Sequence, residues 1–307
     1  MTSLARSILT TLAFFDAQEL PLTLIEVENY LCSPPIHGLA PSNDLGPINR
    51  QATLNQINHT LKTELAARVG QSRGFYFLAG RDHLVASRIR RYRVSLLRLR
   101  SCRRYLLTLR HFPYLRAVAL SGSLALLNSQ PKSDIDLLII VKKNRVWLAR
   151  LFVSLYFQIL RKRRYGAKIA GRFCLNHYLC EGIRIKEDRN LYTAVEYAAL
   201  LPVLGSGRLR DFWAQNKWVR DFLPFAGFAA AGPFFGFETS RAARVFEKIL
   251  DFTIGPFLNW ASGVMQKTRI RRQEHILVSD DELSFHPGSR GQRVLSKFLL
   301  TKAEFGL

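Results

Sequence analysis

Residues 134–141 read Asp-Ile-Asp-Leu-Leu-Ile-Ile-Val. Five aliphatic residues in a row are the pattern of a strand buried within a sheet, and here two carboxylates open the run. Residues two apart in a strand project to the same face, so Asp134 and Asp136 are expected side by side. Two carboxylates that close repel each other and are costly to ionise together. A divalent cation removes the conflict, because Mg²⁺ takes hard oxygen ligands and keeps its other positions for water and phosphate oxygens.

The residues before this strand carry the idea further. "LRAVALS" (115–121) is a short apolar strand that breaks at Gly122-Ser123. Glycine has no Cβ, so a phosphate can come close to the backbone. A helix starting near Leu124 would turn its first amides toward that phosphate, and the Ser123 hydroxyl adds a donor. Lys132 and Ser133, just before the first Asp, are further candidates for phosphate contact. The turn is thus expected to bind a triphosphate and the next strand to bring the metal.

Gly122-Ser123, ten intervening residues, and then Asp134-Ile135-Asp136 in an aliphatic strand resembles the Gly-Gly/Ser and Asp-x-Asp signature of the DNA polymerase β-like nucleotidyltransferase superfamily. The motif occupies 120–141, and a compatible helix and strand carry the order on to 180. The resemblance implies that Gly122 and Ser123 hold the nucleotide's phosphates and that Asp134 and Asp136 are catalytic and ligate Mg²⁺. It also implies transfer of a nucleoside monophosphate from a nucleoside triphosphate to an acceptor hydroxyl, with release of pyrophosphate. The acceptor class, whether nucleic acid, protein or small molecule, stays open. Many members of the superfamily carry a third carboxylate on a later strand. Here "GRFCLNHYLC" (171–180) offers Asn176 and His177, with Glu181 just beyond, so Asn176 and Glu181 are the candidates for a third site position. An Asn carbonyl is an uncharged ligand and cannot act as a general base.

The rest of the chain reads as α+β in three parts. Residues 1–81 give helices near 3–15, 22–31 and 51–66, with a Pro- and Gly-rich loop before the third, and then two short strands around Gln-Ser-Arg-Gly. Three helices closed by a β-hairpin is a winged-helix-like order. Residues 82–185 hold a long basic helix to about Arg110, with Leu96, Leu97, Leu99, Leu106 and Leu107 as its apolar face, and then the small mixed-sheet nucleotidyltransferase domain. Residues 186–307 read as a helical C-terminal region, with helices expected at 190–205, 209–224 and 238–252. Tyr192, Thr193 and Glu196 are candidates for lining a nucleotide or acceptor pocket, and His286 for a place near it. Trp213, Trp218 and Phe222 fall at helical spacing and are expected in the core.

Lys and Arg number 45 against 23 acidic residues, a formal net charge of +22. Such an excess favours polyanionic partners: nucleic acid, nucleotide phosphates or an acidic membrane surface. Four cysteines without a CxxC pair fit a reduced, cytoplasmic chain without structural zinc. The N-terminus lacks the long apolar core of a signal peptide. Residues 222–237, with the basic 267–272 segment, suggest membrane contact as a lesser alternative. A second reading of the whole is a DNA-binding regulator that carries a catalytically degenerate nucleotidyltransferase domain.

Overall fold

A computed structural model describes residues 1–33, 53–186, 188–227, 235–270, 277–285 and 289–307. Strand β4 (Leu115–Ser121) and strand β5 (Ile135–Val141) pair antiparallel, with Ser121 opposite Asp136. Every residue of β5 is buried, as its unbroken apolar run requires. Strand β6 (Phe173–Cys180) lies parallel to β5 on its other side, connected through helix α6 (Val146–Ile159).

The sheet is larger than the sequence suggests. Strand β7 (Leu201–Leu204) pairs with β4, and strands β8 (Leu277–Val278) and β9 (Glu282–Ser284) extend the β6 edge, giving the order β7-β4-β5-β6-β9-β8. The C-terminal part therefore supplies strands as well as helices. The helix expected over 190–205 is only α7 (Leu191–Ala198). Its apolar continuation becomes an edge strand, where a proline such as Pro202 fits although it has no N–H to donate. The helix expected over 209–224 breaks at Asn216 into α8 (Ser206–Gln215) and α9 (Val219–Phe222). Asn216 is the C-cap of α8: its Nδ2 donates to the Phe212 carbonyl, and its Oδ1 accepts from Ile185 N–H, which ties the break to the segment after β6.

Residues 1–78 form α1 (Ser3–Asp16), β1 (Leu22–Thr23), α2 (Leu24–Asn29), α3 (Leu54–Lys62), β2 (Val69–Ser72) and β3 (Phe75–Leu78). Thr23 with Glu26 and Thr53 with Gln56 form capping boxes that start α2 and α3. Arg73 and Gly74 both take positive φ between β2 and β3, the backbone of a two-residue hairpin turn. The Pro-rich loop before α3 lies outside the described residues.

Two clusters of buried side chains lie on the two faces of the central sheet. Ala117, Ala119, Leu138, Ile140 and Leu179 share one with Phe14 and Phe15 of α1, with α7, α8 and α9, and with Phe298 of α12 (Ser289–Glu304). Val118, Leu120, Leu137, Ile139 and Tyr178 share the other with α6 and with α4 (His83–Thr108). The N-terminal helices therefore pack into the same core as the sheet. Trp213, Trp218 and Phe222 are buried in that first cluster, as expected.

Helix α4 runs as expected, but its faces differ from the reading. Leu99 and Leu106 are buried, whereas Leu96 and Leu97 are exposed. Several arginines point inward instead. Arg88, with only 3% of its surface exposed, donates to Glu26 Oε1 at 2.6 Å and to the Leu126 carbonyl at 2.8 Å. Arg91 reaches Glu19 and the Asn128 side chain. Arg98 donates to the carbonyls of Gln130 and Pro131 at 3.1 and 3.0 Å. Residues three and seven apart share a helix face, and this face of α4 pins the segment 126–131 between the Gly-Ser turn and Asp134.

Candidate functional site

Asp134 and Asp136 come together at the start of β5. They are 8% and 6% exposed, and both lie on the wall of a cleft of about 1500 Å³. One carboxylate oxygen from each and the Sγ of Cys174 lie within 4.8 Å of one another. Cys174 is opposite Asp136 in the parallel pairing of β5 with β6, so it takes the third place at this corner. The sequence reading placed Asn176 or Glu181 there. Glu181 follows the far end of β6, where it pairs with Arg116 at 3.4 Å, and so is remote from the two aspartates. Asn176 lies within β6, and its side chain is outside the described residues. A register shift in β6 after Cys174 alters which residues face the aspartates, and such a bulge leaves no mark in a sequence.

Gly122 sits against Asp136. Its φ is +62°, and a Cβ added there would stand 2.6 Å from Asp136 Oδ2. The position thus needs glycine twice, for its left-handed backbone and for the carboxylate that fills the space of a side chain. Gly122 opens the short helix α5 (Gly122–Ala125), two residues earlier than the sequence suggests. Gly122, Ser123 and Ser133 line a cavity of about 130 Å³. It adjoins the cleft, because Gln130, Tyr192, Glu196 and Val294 line both. Lys132 is exposed at the turn and lines neither. Of the helix α7 candidates, Tyr192 and Glu196 reach the site, while Thr193 caps its own helix through Asn190. His286 lies outside the described residues.

Several groups at the site were not singled out from sequence. The basic turn 161–166 folds back along β6, with Arg164 N–H donating to the Phe173 carbonyl, and this brings Arg163 and Arg164 to the cleft wall. Arg164 Nη1 lies 2.6 Å from Asp134 Oδ2 and 3.4 Å from Cys174 Sγ. A guanidinium therefore already balances one carboxylate of the pair. Arg293 and Lys297 of α12 also line the cleft and add to its basic charge. Arg150 of α6 stacks on Phe285 at 4.5 Å and donates to Gln266. Burial lowers its pKa, and its Nε has no hydrogen-bond partner among the described residues. In the small cavity, the buried Nε2 of Gln18 likewise has no partner among the described residues. Unmet buried donors are costly, and an anion or polar ligand would satisfy them.

The donor set suits a hard cation. Two carboxylates are oxygen ligands of the kind Mg²⁺ takes. Burial pushes the Cys174 thiol up to about 12, and the neighbouring aspartates add to the effect. Sulfur is a soft donor, unlike the oxygen ligands that Mg²⁺ takes, so the two carboxylates are the hard ligands of the group. The arrangement offers two acidic ligands, Gly122 and Ser123 on an adjoining cavity, and cations along a wide cleft. Compared with protein-family models, curated proteins and solved structures, the chain finds no match in any of the three.

Proposed function

We propose that this chain is a Mg²⁺-dependent nucleotidyltransferase, moving a nucleoside monophosphate from a nucleoside triphosphate to an acceptor hydroxyl. One observation carries the reading: Gly122 is packed against the carboxylate of Asp136, which sits beside Asp134 in a cleft lined by arginine and lysine. Asp134 and Asp136 would hold Mg²⁺, whose charge offsets that of the bound triphosphate. Gly122 and Ser123 admit phosphate oxygens close to the backbone. Arg150, Arg163 and Arg164, which line the same cleft as the aspartates, neutralise phosphate, and Arg164 exchanges Asp134 for a phosphate oxygen when nucleotide arrives. The acceptor oxygen forms a bond to the α-phosphorus as the bond from that phosphorus to the bridging β-phosphate oxygen breaks, pyrophosphate leaves, and the hydroxyl proton passes to solvent. Catalysis is positioning and electrostatics.

In this reading α1, α2, α3 and the β2–β3 hairpin form a winged-helix-like element, and the protein works in the cytoplasm. The +22 charge tilts the acceptor toward nucleic acid. The test is label transfer. The protein is incubated with each α-labelled nucleoside triphosphate and Mg²⁺, alone and with cellular RNA or lysate, beside Asp134→Ala/Asp136→Ala. Transfer by the parent and none by the variant is expected, and equal labelling by both would remove these residues from the reaction. The second reading, a DNA-binding regulator with a degenerate site, draws on Cys174 in the third position and on Arg164 seated on Asp134. It calls for strongly salt-dependent DNA binding and no turnover of any nucleoside triphosphate.

A further inference from the structure

Helix α10 (Arg241–Phe252) and helix α11 (Gly255–Ile270) form a hairpin whose turn lies at the end of β5 remote from Asp134, while Met265, Gln266 and Ile270 at the other end of α11 line the cleft. Its inner face is firmly anchored. Glu247 accepts from Arg116 at 2.6 Å, and Asp251 pairs with Lys142 and Arg145 at 2.6 and 2.8 Å. At the turn, a Cβ on Gly255 would meet the Leu250 carbonyl at 2.5 Å and the Tyr114 hydroxyl at 2.8 Å. The hairpin is held in place, so its outer face is exposed by construction.

That outer face is apolar and aromatic. Val245, Phe246 and Ile249 on α10, and Phe257, Trp260 and Val264 on α11, are each about half exposed or more. At the turn, Phe252 is 94% exposed. The charges sort by sign. Both acids of α10 point inward and are neutralised, while its exposed charges, Arg241, Arg244 and Lys248, are all basic. Helix α11 contains no acid. An apolar, aromatic face edged with Lys and Arg is the pattern of a helix that lies in a membrane interface, with tryptophan at headgroup depth. Among the described residues no helix is long and apolar enough to cross a membrane, so the fit is to its surface. A second copy is a poor occupant, because pairing the face would oppose its cations in a chain of charge +22. Nucleic acid would leave the aliphatic and aromatic side chains without a partner.

We propose that the α10–α11 hairpin docks the protein on an anionic lipid surface, with Phe252, Phe257 and Trp260 entering the interface and Arg241, Arg244 and Lys248 facing the headgroups. Of the four tryptophans, Trp260 is 64% exposed, whereas Trp147, Trp213 and Trp218 are 8% or less, so a change in emission on docking reports Trp260. The full chain is floated with vesicles of phosphatidylcholine alone or mixed with phosphatidylglycerol. The expected results are co-flotation with the mixed vesicles and a blue shift of tryptophan emission. Phe252→Ser/Phe257→Ser keeps every charge and should lower partitioning by about tenfold or more, with an unchanged melting temperature. Failure of the parent to float overturns the proposal. So does equal flotation of parent and variant, which would mark attraction by general charge. A concentration-dependent dimer that the same variant dissociates overturns it in favour of a second copy.

Discussion

Gly122→Ala probes the geometry of the site without altering a charge. Two costs are separable. The first is conformational: at φ +62° a side chain costs about 1 kcal/mol. The second is steric. The new Cβ would stand 2.6 Å from Asp136 Oδ2, whereas ordinary contact begins at 3.4 Å. The carboxylate must retreat by roughly 0.8 Å in packed surroundings, and overpacking of this kind costs about 1–3 kcal/mol. Together the substitution should destabilise the parent by about 2–4 kcal/mol. In an Asp136→Ala background the steric cost is gone, and the same change should cost about 1 kcal/mol. Urea unfolding of the four proteins forms a double-mutant cycle, with an expected coupling between positions 122 and 136 of about 1–3 kcal/mol. Equal cost in both backgrounds would refute the idea that the Asp136 carboxylate occupies the space where Gly122 lacks a side chain.

Three further outcomes test the surroundings. Arg88→Met leaves Glu26 and the Leu126 carbonyl without their guanidinium and should cost about 2–4 kcal/mol in urea unfolding; a loss below about 0.5 kcal/mol would contradict the inward role of α4. Burial opposes ionisation of Glu247, but Arg116, the Tyr114 N–H and Lys142 outweigh it and hold its pKa below the ordinary 4.5. The unfolded chain therefore takes up the proton first, so this stabilisation is complete above pH 4.5 and is lost as pH falls through the lower folded value. Thermal melts in acid should show a shallower decline for Glu247→Gln than for the parent, and parallel profiles would count against the network. Arg164→Gln removes the cation already seated on Asp134, so calorimetry should show Mn²⁺ binding tighter by about three- to tenfold in the absence of nucleotide. Unchanged affinity would mean that the guanidinium does not compete with metal.

The parts of the fold that were legible in sequence are those whose pattern is long and local. The run Ile135–Val141 and the helical spacing of α1 and α6 needed no tertiary information. The elements that were missed owe their conformation to neighbours. Leu201–Leu204 extends the apolar pattern of α7 and becomes a strand only because β4 has an open edge. Strands β8 and β9 have two and three residues, too few for any period to show. At the site, Asp134, Asp136 and Gly122 stood out because a carboxylate pair and a glycine are unusual at the ends of apolar strands. Cys174 did not, because its place depends on parallel register and a bulge in β6. Arg150 and Arg164 were hidden among 45 basic residues, and only burial and the backward fold of 161–166 distinguish them. Lys132 was the reverse case: adjacent in sequence to Asp134, it is turned out to solvent.

The most direct measurement is Mn²⁺ binding, followed by electron paramagnetic resonance, in the presence of a non-hydrolysable nucleoside triphosphate. The parent should immobilise the ion with nucleotide, and Asp134→Asn/Asp136→Asn should leave it free while keeping the parent's fold by circular dichroism. Equal immobilisation by both proteins, or by neither, would contradict the claim that these two carboxylates hold a metal-bound nucleotide.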